Sequence, residues 1–263
     1  MEISDRRAVP GEAEADFSTL VAAELPGLYR YAVSIVGDRA EAEDLIGDTV
    51  LRALERREQY RAEASLRTWL HRILYHLAID RGRRAGREVS VEEVESSWRD
   101  ADYSVDPAVV VERAQSAEAL REALVHLPSA HRSVLVLHDA EGWPVSEVAE
   151  VLGISLPAAK QRLRRGRMML VSSLARGEER RMANQGVPLS CWEARKSVSA
   201  YLDGELASGE RTALETHLGR CATCPPLYQA LVGATASLGA LHDPDSVVPA
   251  EVAGRVRART GLR

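Results

Sequence analysis

Three cysteines and one histidine are the residues best placed to do chemistry in this chain. Cys191 is followed by twenty-five residues, then His217, three residues, Cys221, two residues and Cys224. These are the only cysteines among 263 residues, and all of them fall in one short module. On a helix His217 and Cys221 share a face at i, i+4, and Cys224 follows at i+3. Cys191 would open a preceding helix that returns through YLDGELASGERTALETHL. One His and three Cys form the donor set of a closed, tetrahedral, structural zinc site holding one Zn2+. The plainer alternative is three small buried thiols and a surface histidine; the concentration of every cysteine in one module favours the metal. A second use of such thiolates is redox sensing, with Cys221 and Cys224 as the natural disulfide pair.

No glycine-rich nucleotide loop and no Ser/His/Asp or Cys/His pairing accompanies this cluster, so the chain is read as a binding protein and not an enzyme. Three Cys do not make a disulfide scaffold. No apolar run approaches the ~18 residues of a membrane span, and the polar, acidic start MEISDRRAVPGEAEADF is no signal peptide. The expected setting is cytoplasmic, with no membrane contact.

The net charge of −5 hides a pattern. Residues 61–87 carry seven Arg against two acids, and residues 160–181 carry eight Lys/Arg against two Glu. The stretch between them, 88–118, is acidic. Two basic blocks on an acidic chain point to two polyanion contacts, or to two solvated helix faces.

Abundant Ala, Leu, Glu and Arg predict an all-α protein of two or three domains. Residues 1–16 are expected to be disordered. Apolar spacing predicts helices from Phe17 to Arg57, broken at Gly37 with Asp38 as N-cap, and from Ser65 to about Arg84. These make one domain over 17–87. Residues 88–111 lose the periodicity and are read as an acidic linker. Four helices follow over 112–181: one from 112 to 127, then Ser129 to 140, Val145 to Leu152, and one after Ser155. The zinc module covers 190–241 and a tail 242–263 closes the chain. In that tail AEVAGRVRART is either a short basic amphipathic helix or a frayed end.

PVSEVAEVLGISLPAAKQRLRRGRMML, residues 144–170, has the layout of a helix-turn-helix. Val145, Val148, Ala149 and Leu152 make one apolar face, Gly153 allows the turn, and Ser155 caps a second helix with Pro157 in its first turn. Ala159, Leu163 and Leu170 point inward. Lys160, Gln161, Arg162, Arg164 and Arg165 lie outward, as on a helix that reads the major groove.

With these motifs in place, the first two domains together resemble an extracytoplasmic-function sigma factor of bacteria, the first like sigma region 2 and the second like region 4. The resemblance covers about 160 residues in the right order. It implies that EDLIGDTVLRAL docks on the β′ clamp helices of RNA polymerase core through Asp44, Asp48 and Arg52, and that region 4 meets the β flap. Gly47 stands where the family often has Gln. YRAEASLRTWLHRILYHLAIDRGRR would capture and melt the −10 element, with Tyr60 to Ser65 as the base-capture loop. Arg67, Arg72, Arg81, Arg83 and Arg84 would contact phosphates. Trp69 is either core or a stacking platform, His76 replaces the usual Asn, and Asp80 fits the pattern. The −35 duplex would meet the recognition helix.

CWEARKSVSAYLDGELASGERTALETHLGRCATC is similar to the zinc-binding anti-sigma domain, here fused in cis to its target. The implied function is a promoter-directing sigma factor regulated by its own zinc module, through an intramolecular contact with the sigma domains. Glu193, Asp203, Glu205, Glu210 and Glu215 could face the basic sigma surfaces or solvent. The alternative function is a helix-turn-helix regulator without polymerase contact, its zinc module a partner-binding surface.

Overall fold

The computed structural model describes residues 10–61, 64–82, 89–177, 179–181, 189–241 and 248–261. Apolar residues at helical spacing build the first part. α1 (Pro10–Val36) lays Val21, Leu25, Leu28, Ala32 and Ile35 in one buried stripe against α2 (Arg39–Glu55). Asp38 caps α2, its carboxylate accepting from the Glu41 amide at 2.8 Å. α3 (Leu66–Gly82) buries Leu70, Ile73, Leu74 and Ala78. The expected disorder over 1–16 gives way to helix from Pro10, where an Ala/Glu-rich run favours helix over coil; residues 1–9 lie outside the described residues.

The acidic stretch 88–111 is not a bare linker. Ser90 caps α4 (Val91–Arg99), accepting from the Glu93 amide. Val94 and Trp98, four apart, form its buried face. Three apolar residues in nine, only two of them buried, were too few to register as periodicity among so many acids. β1 (Tyr103–Val105) follows, then α5 (Pro107–Gln115) and α6 (Ala117–Val125). A single helix over 112–127 was expected. Ser116 breaks it, because its extended backbone lets the hydroxyl cap α6 at the Ala119 amide.

α7 (Ser129–Leu135) widens into a π-type turn over Val136–Ala140. α8 (Val145–Leu152) and α9 (Leu156–Leu174) form the helix-turn-helix, joined at Gly153 with φ +65° and capped by Ser155. β2 (Glu179–Arg181) pairs antiparallel with β1, Ser104 opposite Arg180. α10 (Cys191–Leu202), α11 (Ser208–Leu218) and α12 (Cys224–Leu238) complete the zinc-type module. α12 packs closely on α5: a Cβ at Gly233 would lie 2.2 Å from Val111 Cγ2. α13 (Ala250–Thr260) is the amphipathic helix of the tail and buries Val252 and Val256 against α2.

The chain thus divides into two compact units, residues 1–81 with 244–263, and residues 82–243. The second gathers the expected linker, the helix-turn-helix region and the cysteine module around one core. Trp98 stands in that core, fully buried, its indole N–H donating to Ser172 Oγ at 2.9 Å. Trp98→Ala should cost about 3–5 kcal/mol, read as a lower urea midpoint at unchanged m-value; a loss near zero would mean that α4 is not part of this core.

Candidate metal centre and nucleic-acid interface

The four predicted ligands come from three separate places in the module. Cys191 is the first residue of α10, capped by Ser190. His217 lies in the last turn of α11, Cys221 in the following turn, and Cys224 at the start of α12. All four are buried, and their ligand atoms lie within 4.8 Å of one another. The Cys191 and Cys221 sulfurs are 3.7 Å apart. Two thiolates on one tetrahedral zinc stand about 3.8 Å apart, given Zn–S bonds of ~2.3 Å, so the residues fit the ion. The Cys224 amide donates to Cys221 Sγ at 3.3 Å. Burial pushes the Cys224 thiol up to about 12, Arg195 pulls it down, and the other two sulfurs push it up again. Three sulfurs crowded in a dry site call for a cation.

The outward face of α9 is not bare. Lys160 pairs with Glu205 of the cysteine module at 2.9 Å. Arg164 donates to Glu95 Oε1 at 2.9 Å, and Arg165 reaches both Glu95 oxygens at 2.8 and 3.3 Å. Burial pushes the Glu95 carboxyl up, and the hydrogen bonds and charges of Arg165 and Arg164 more than reverse this, leaving it below the ordinary range. The Trp192 ring lies under Arg164, 5.4 Å from its guanidinium carbon. Gln161 is exposed and Arg162 half-buried.

Behind this face sits a buried ionic cluster. Arg167 donates to both Asp139 oxygens at 3.1 and 2.6 Å, to both Asp203 oxygens at 3.1 and 2.8 Å, and to Ser199 Oγ at 2.7 Å. His138 Nε2 lies 3.4 Å from Asp203 and 3.9 Å from Asp139, with its Nδ1 2.7 Å from the Trp143 carbonyl. Burial lowers the His138 pKa, but Asp203, the Trp143 carbonyl and Asp139 together raise it above its usual value. Burial raises Asp203, and His138 and Arg167 bring it below the usual range. Of the five acids considered for the cysteine module, Asp203 and Glu205 thus meet α9, while Glu193 pairs with Lys196, Glu210 with the Ala207 amide and Glu215 with Tyr201.

In the other unit Tyr60 and Trp69 stand with ring centres 5.4 Å apart, and Phe17 of α1 packs edge-on to Trp69. Ser65 caps α3 through the Thr68 amide. Arg67 and Arg72 are half-buried, His76 and Asp80 exposed. Arg81 pairs with Asp48; Arg83 and Arg84 lie outside the described residues. Asp44, Asp48 and Arg52 line α2, and α13 covers part of that face. Arg255 donates to Glu43 at 2.9 and 2.6 Å, and Arg259 pairs with Asp44 at 3.4 Å and with Asp48. A Cβ at Gly47 would meet Arg259 Nη1 at 2.9 Å, so the glycine makes room for this arginine.

Sequence reasoning missed Glu43, Glu95, Arg167, Trp192, Arg195, Thr223 and Arg259 as site residues. The alternation of charge along the chain was the signal for Glu95 and Arg259; for Arg167, Arg195 and Thr223 there was none.

Fold and site define a class: an almost wholly helical chain, with one two-stranded ribbon, a helix-turn-helix and a Cys3His module. Residues 20–88 match the family "Sigma-70 region 2", residues 117–170 "Sigma-70, region 4", and residues 191–224 "Putative zinc-finger". ECF RNA polymerase sigma factor SigG of Mycobacterium tuberculosis (strain CDC 1551 / Oshkosh) is 33% identical over 180 residues, covering 60% of this chain and 49% of SigG. RNA polymerase sigma factor YlaC of Bacillus subtilis is 31% identical, covering 52% of this chain and 80% of YlaC. ECF RNA polymerase sigma factor EcfG of Rhodopseudomonas palustris is 31% identical, covering 59% and 82%. The chain belongs to the ECF RNA polymerase sigma factor family. Its match spans about half the length of SigG. Among the described residues no helix is long and apolar enough to cross a membrane.

The His138 cluster makes stability pH-dependent. A raised pKa gives stability that is complete below the unfolded value near pH 6.5 and lost as pH rises through the folded value. Asp203 acts oppositely: its share is present above its unfolded value of about 3.9 and lost as pH falls through its lowered one. The melting temperature of the full chain should therefore decline, as pH rises above about 6.5, more steeply than that of His138→Gln; equal slopes would refute the assignment to His138.

Proposed function

We propose that this chain is a sigma factor that directs RNA polymerase core to promoters and is held in check by its own C-terminal segments. The observation that carries this reading is the pairing of both contact faces. Lys160 of α9 meets Glu205 of the cysteine module, and the acids of α2 meet Arg255 and Arg259 of α13.

The work is binding, without covalent chemistry. Gln161, Arg162, Arg164 and Arg165, with Lys160, would meet base edges and phosphates of the −35 duplex. Tyr60 and Trp69 would stack on an unpaired −10 base, and Ser65, His76 and Asp80 lie along the same helix and loop. Arg67, Arg72, Arg81, Arg83 and Arg84 would hold the backbone. Asp44, Asp48 and Arg52 would dock on the polymerase β′ clamp helices, and region 4 on the β flap. Cys191, His217, Cys221 and Cys224 would hold one structural zinc ion, which when bound cross-links the starts of α10 and α12 to the end of α11. A redox role for the site is the finer part of this proposal: oxidation of Cys221 and Cys224 to a disulfide, by a peroxide reduced to water and alcohol or to two waters, would expel the metal. The cysteine module and α13 would keep α9 and α2 covered until a signal intervenes, in a cytoplasmic setting.

Run-off transcription with core polymerase tests this, comparing the full chain with one ending at Arg181, on a promoter found by selection. Higher activity of the shorter chain, reproduced in the full chain by zinc removal, is the expected result. Lost activity would make the module structural. Absence of initiation by either form, with DNA binding kept, would leave a plain helix-turn-helix regulator. A second measurement isolates α13. If α13 covers α2 nine-tenths of the time, uncovering it raises apparent affinity for core about tenfold. Arg255→Glu/Arg259→Glu should show that gain, while Arg257→Glu, on an exposed position of α13, should not; a double variant no tighter than wild type removes α13 from the regulation.

A further inference from the structure

Among the ion pairs made by the outward cations of α9, the one best shielded from water does not come from the cysteine module. It comes from α4, in the segment between the two sigma regions. The Glu95 and Arg164 side chains are 13% and 15% exposed, whereas the Lys160 and Glu205 side chains are 44% and 37% exposed. Exposed pairs are weak and screened by salt. Glu95 also receives Arg165 through two nitrogens, the fork geometry that guanidinium uses for a phosphate. One carboxylate thus occupies two of the arginines that the function proposed above assigns to DNA.

The chain just after α4 is tied to the cysteine cluster. Arg195 of α10 donates to the carbonyls of Trp98 and Asp100, each at 2.7 Å, and of Tyr103 at 2.8 Å. It also donates to Thr223 Oγ1 at 3.1 Å. The Thr223 hydroxyl donates in turn to the Ala101 carbonyl at 2.9 Å, and the Thr223 carbonyl accepts from Ser104 Oγ at 3.2 Å. Thr223 sits between Cys221 and Cys224, its hydroxyl oxygen 3.4 Å from the Cys221 sulfur. The turn that carries two ligands therefore also carries the mooring of residues 98–104.

We infer that α4 is the inhibitory contact on the recognition helix, and that the Cys3His site governs it through Thr223 and Arg195. This rests on the reading of α9 as the DNA-binding helix. With the ligands held together, the 221–224 turn and α10 keep fixed donors against the chain that follows α4, so Glu95 stays on Arg164 and Arg165. Without that tie the turn loosens, residues 98–104 lose their anchor, and Glu95 no longer outcompetes DNA phosphates for the two arginines.

The test uses the full chain loaded with zinc, fluorescein-labelled duplex DNA of mixed sequence at low salt, and anisotropy as the readout. Phosphate contacts by Arg164 and Arg165 register on any sequence. Glu95→Gln keeps the shape and removes the charge; it should bind at least about tenfold tighter than wild type, on the argument that a covered site loses affinity by its uncovered fraction. Chelating the zinc should raise wild-type affinity by a similar factor and raise Glu95→Gln little further. Thr223→Val, which alters no ligand, should bind more tightly than wild type at unchanged zinc content. Hydrogen exchange over 91–99 should quicken on chelation in wild type. Two results overturn the inference: Glu95→Gln with wild-type affinity, or chelation acting as strongly on Glu95→Gln as on wild type. Arg165→Ala in the Glu95→Gln background separates this from failure of the broader reading. If it weakens DNA binding while Glu95→Gln alone changed nothing, only the α4 contact falls. If it leaves DNA binding unchanged, α9 is not the DNA-binding helix, and both readings fall.

Discussion

The larger unit depends on a buried cation that has no carboxylate. Arg195 is 2% exposed and makes no salt bridge among the described residues; backbone carbonyls and the Thr223 hydroxyl surround it. A buried charge left unsatisfied is costly, and a guanidinium carries five donors in a rigid fork. The carbonyls of residues 98–103 must therefore curl around it, which sets the path of the chain from α4 into β1. β1 can then pair with β2 beyond α9, and Ser104 is aimed at the Thr223 carbonyl. The acidic segment is ordered because the cysteine module supplies the cation that folds it.

A second cation serves the other side of the module. Arg167 lies on α9, one turn past the outward cations, and is spanned by Asp139 and Asp203. Asp139 comes from the wide turn after α7 and Asp203 from the end of α10, so one guanidinium joins the helix-turn-helix to the module at its core side. Desolvation makes such a cluster a poor source of net stability, but breaking one arm leaves charge stranded. It therefore specifies one seating of α10 on α9, and that seating lets Trp192 lie against Arg164 and Glu205 meet Lys160.

Much of this was legible in the sequence where the signal was local. The α1–α2 break at Gly37, the caps at Asp38 and Ser155, and the turn at Gly153 follow from backbone rules that act within a few residues. The approach of Cys191 to His217, Cys221 and Cys224 was legible because few donors of that kind exist in the chain. α4 was not, since Val94 and Trp98 are apolar islands in an acidic run whose burial depends on α9 and α10. Arg195 and Thr223 carried no signal either: an arginine bound by carbonyls has no partner residue type to search for, and Thr223 looks like any polar residue in a turn. Gly47 stood out in the sequence only as a departure from the family's Gln, and its role as a recess for Arg259 needed the position of α13.

The charges that looked like binding surfaces for outside partners are first satisfied within the chain, and the two covers differ in kind. Arg255 and Arg259 meet α2 at exposed positions. Ions at physiological strength screen beyond about 8 Å, and water competes at every such atom, so this cover yields readily to a better-matched protein surface. Glu95 meets Arg164 largely out of water, and the Trp192 ring packs on the same guanidinium. Screening barely touches a pair in that position, and any phosphate that reached these arginines would have to displace a carboxylate already seated in fork geometry. That contact opens most easily when its backbone support moves, and the support ends at the Cys221–Cys224 turn. On the function proposed above, docking of one face would be sensitive to what surrounds the protein, and exposure of the other to the state of the Cys3His ligands.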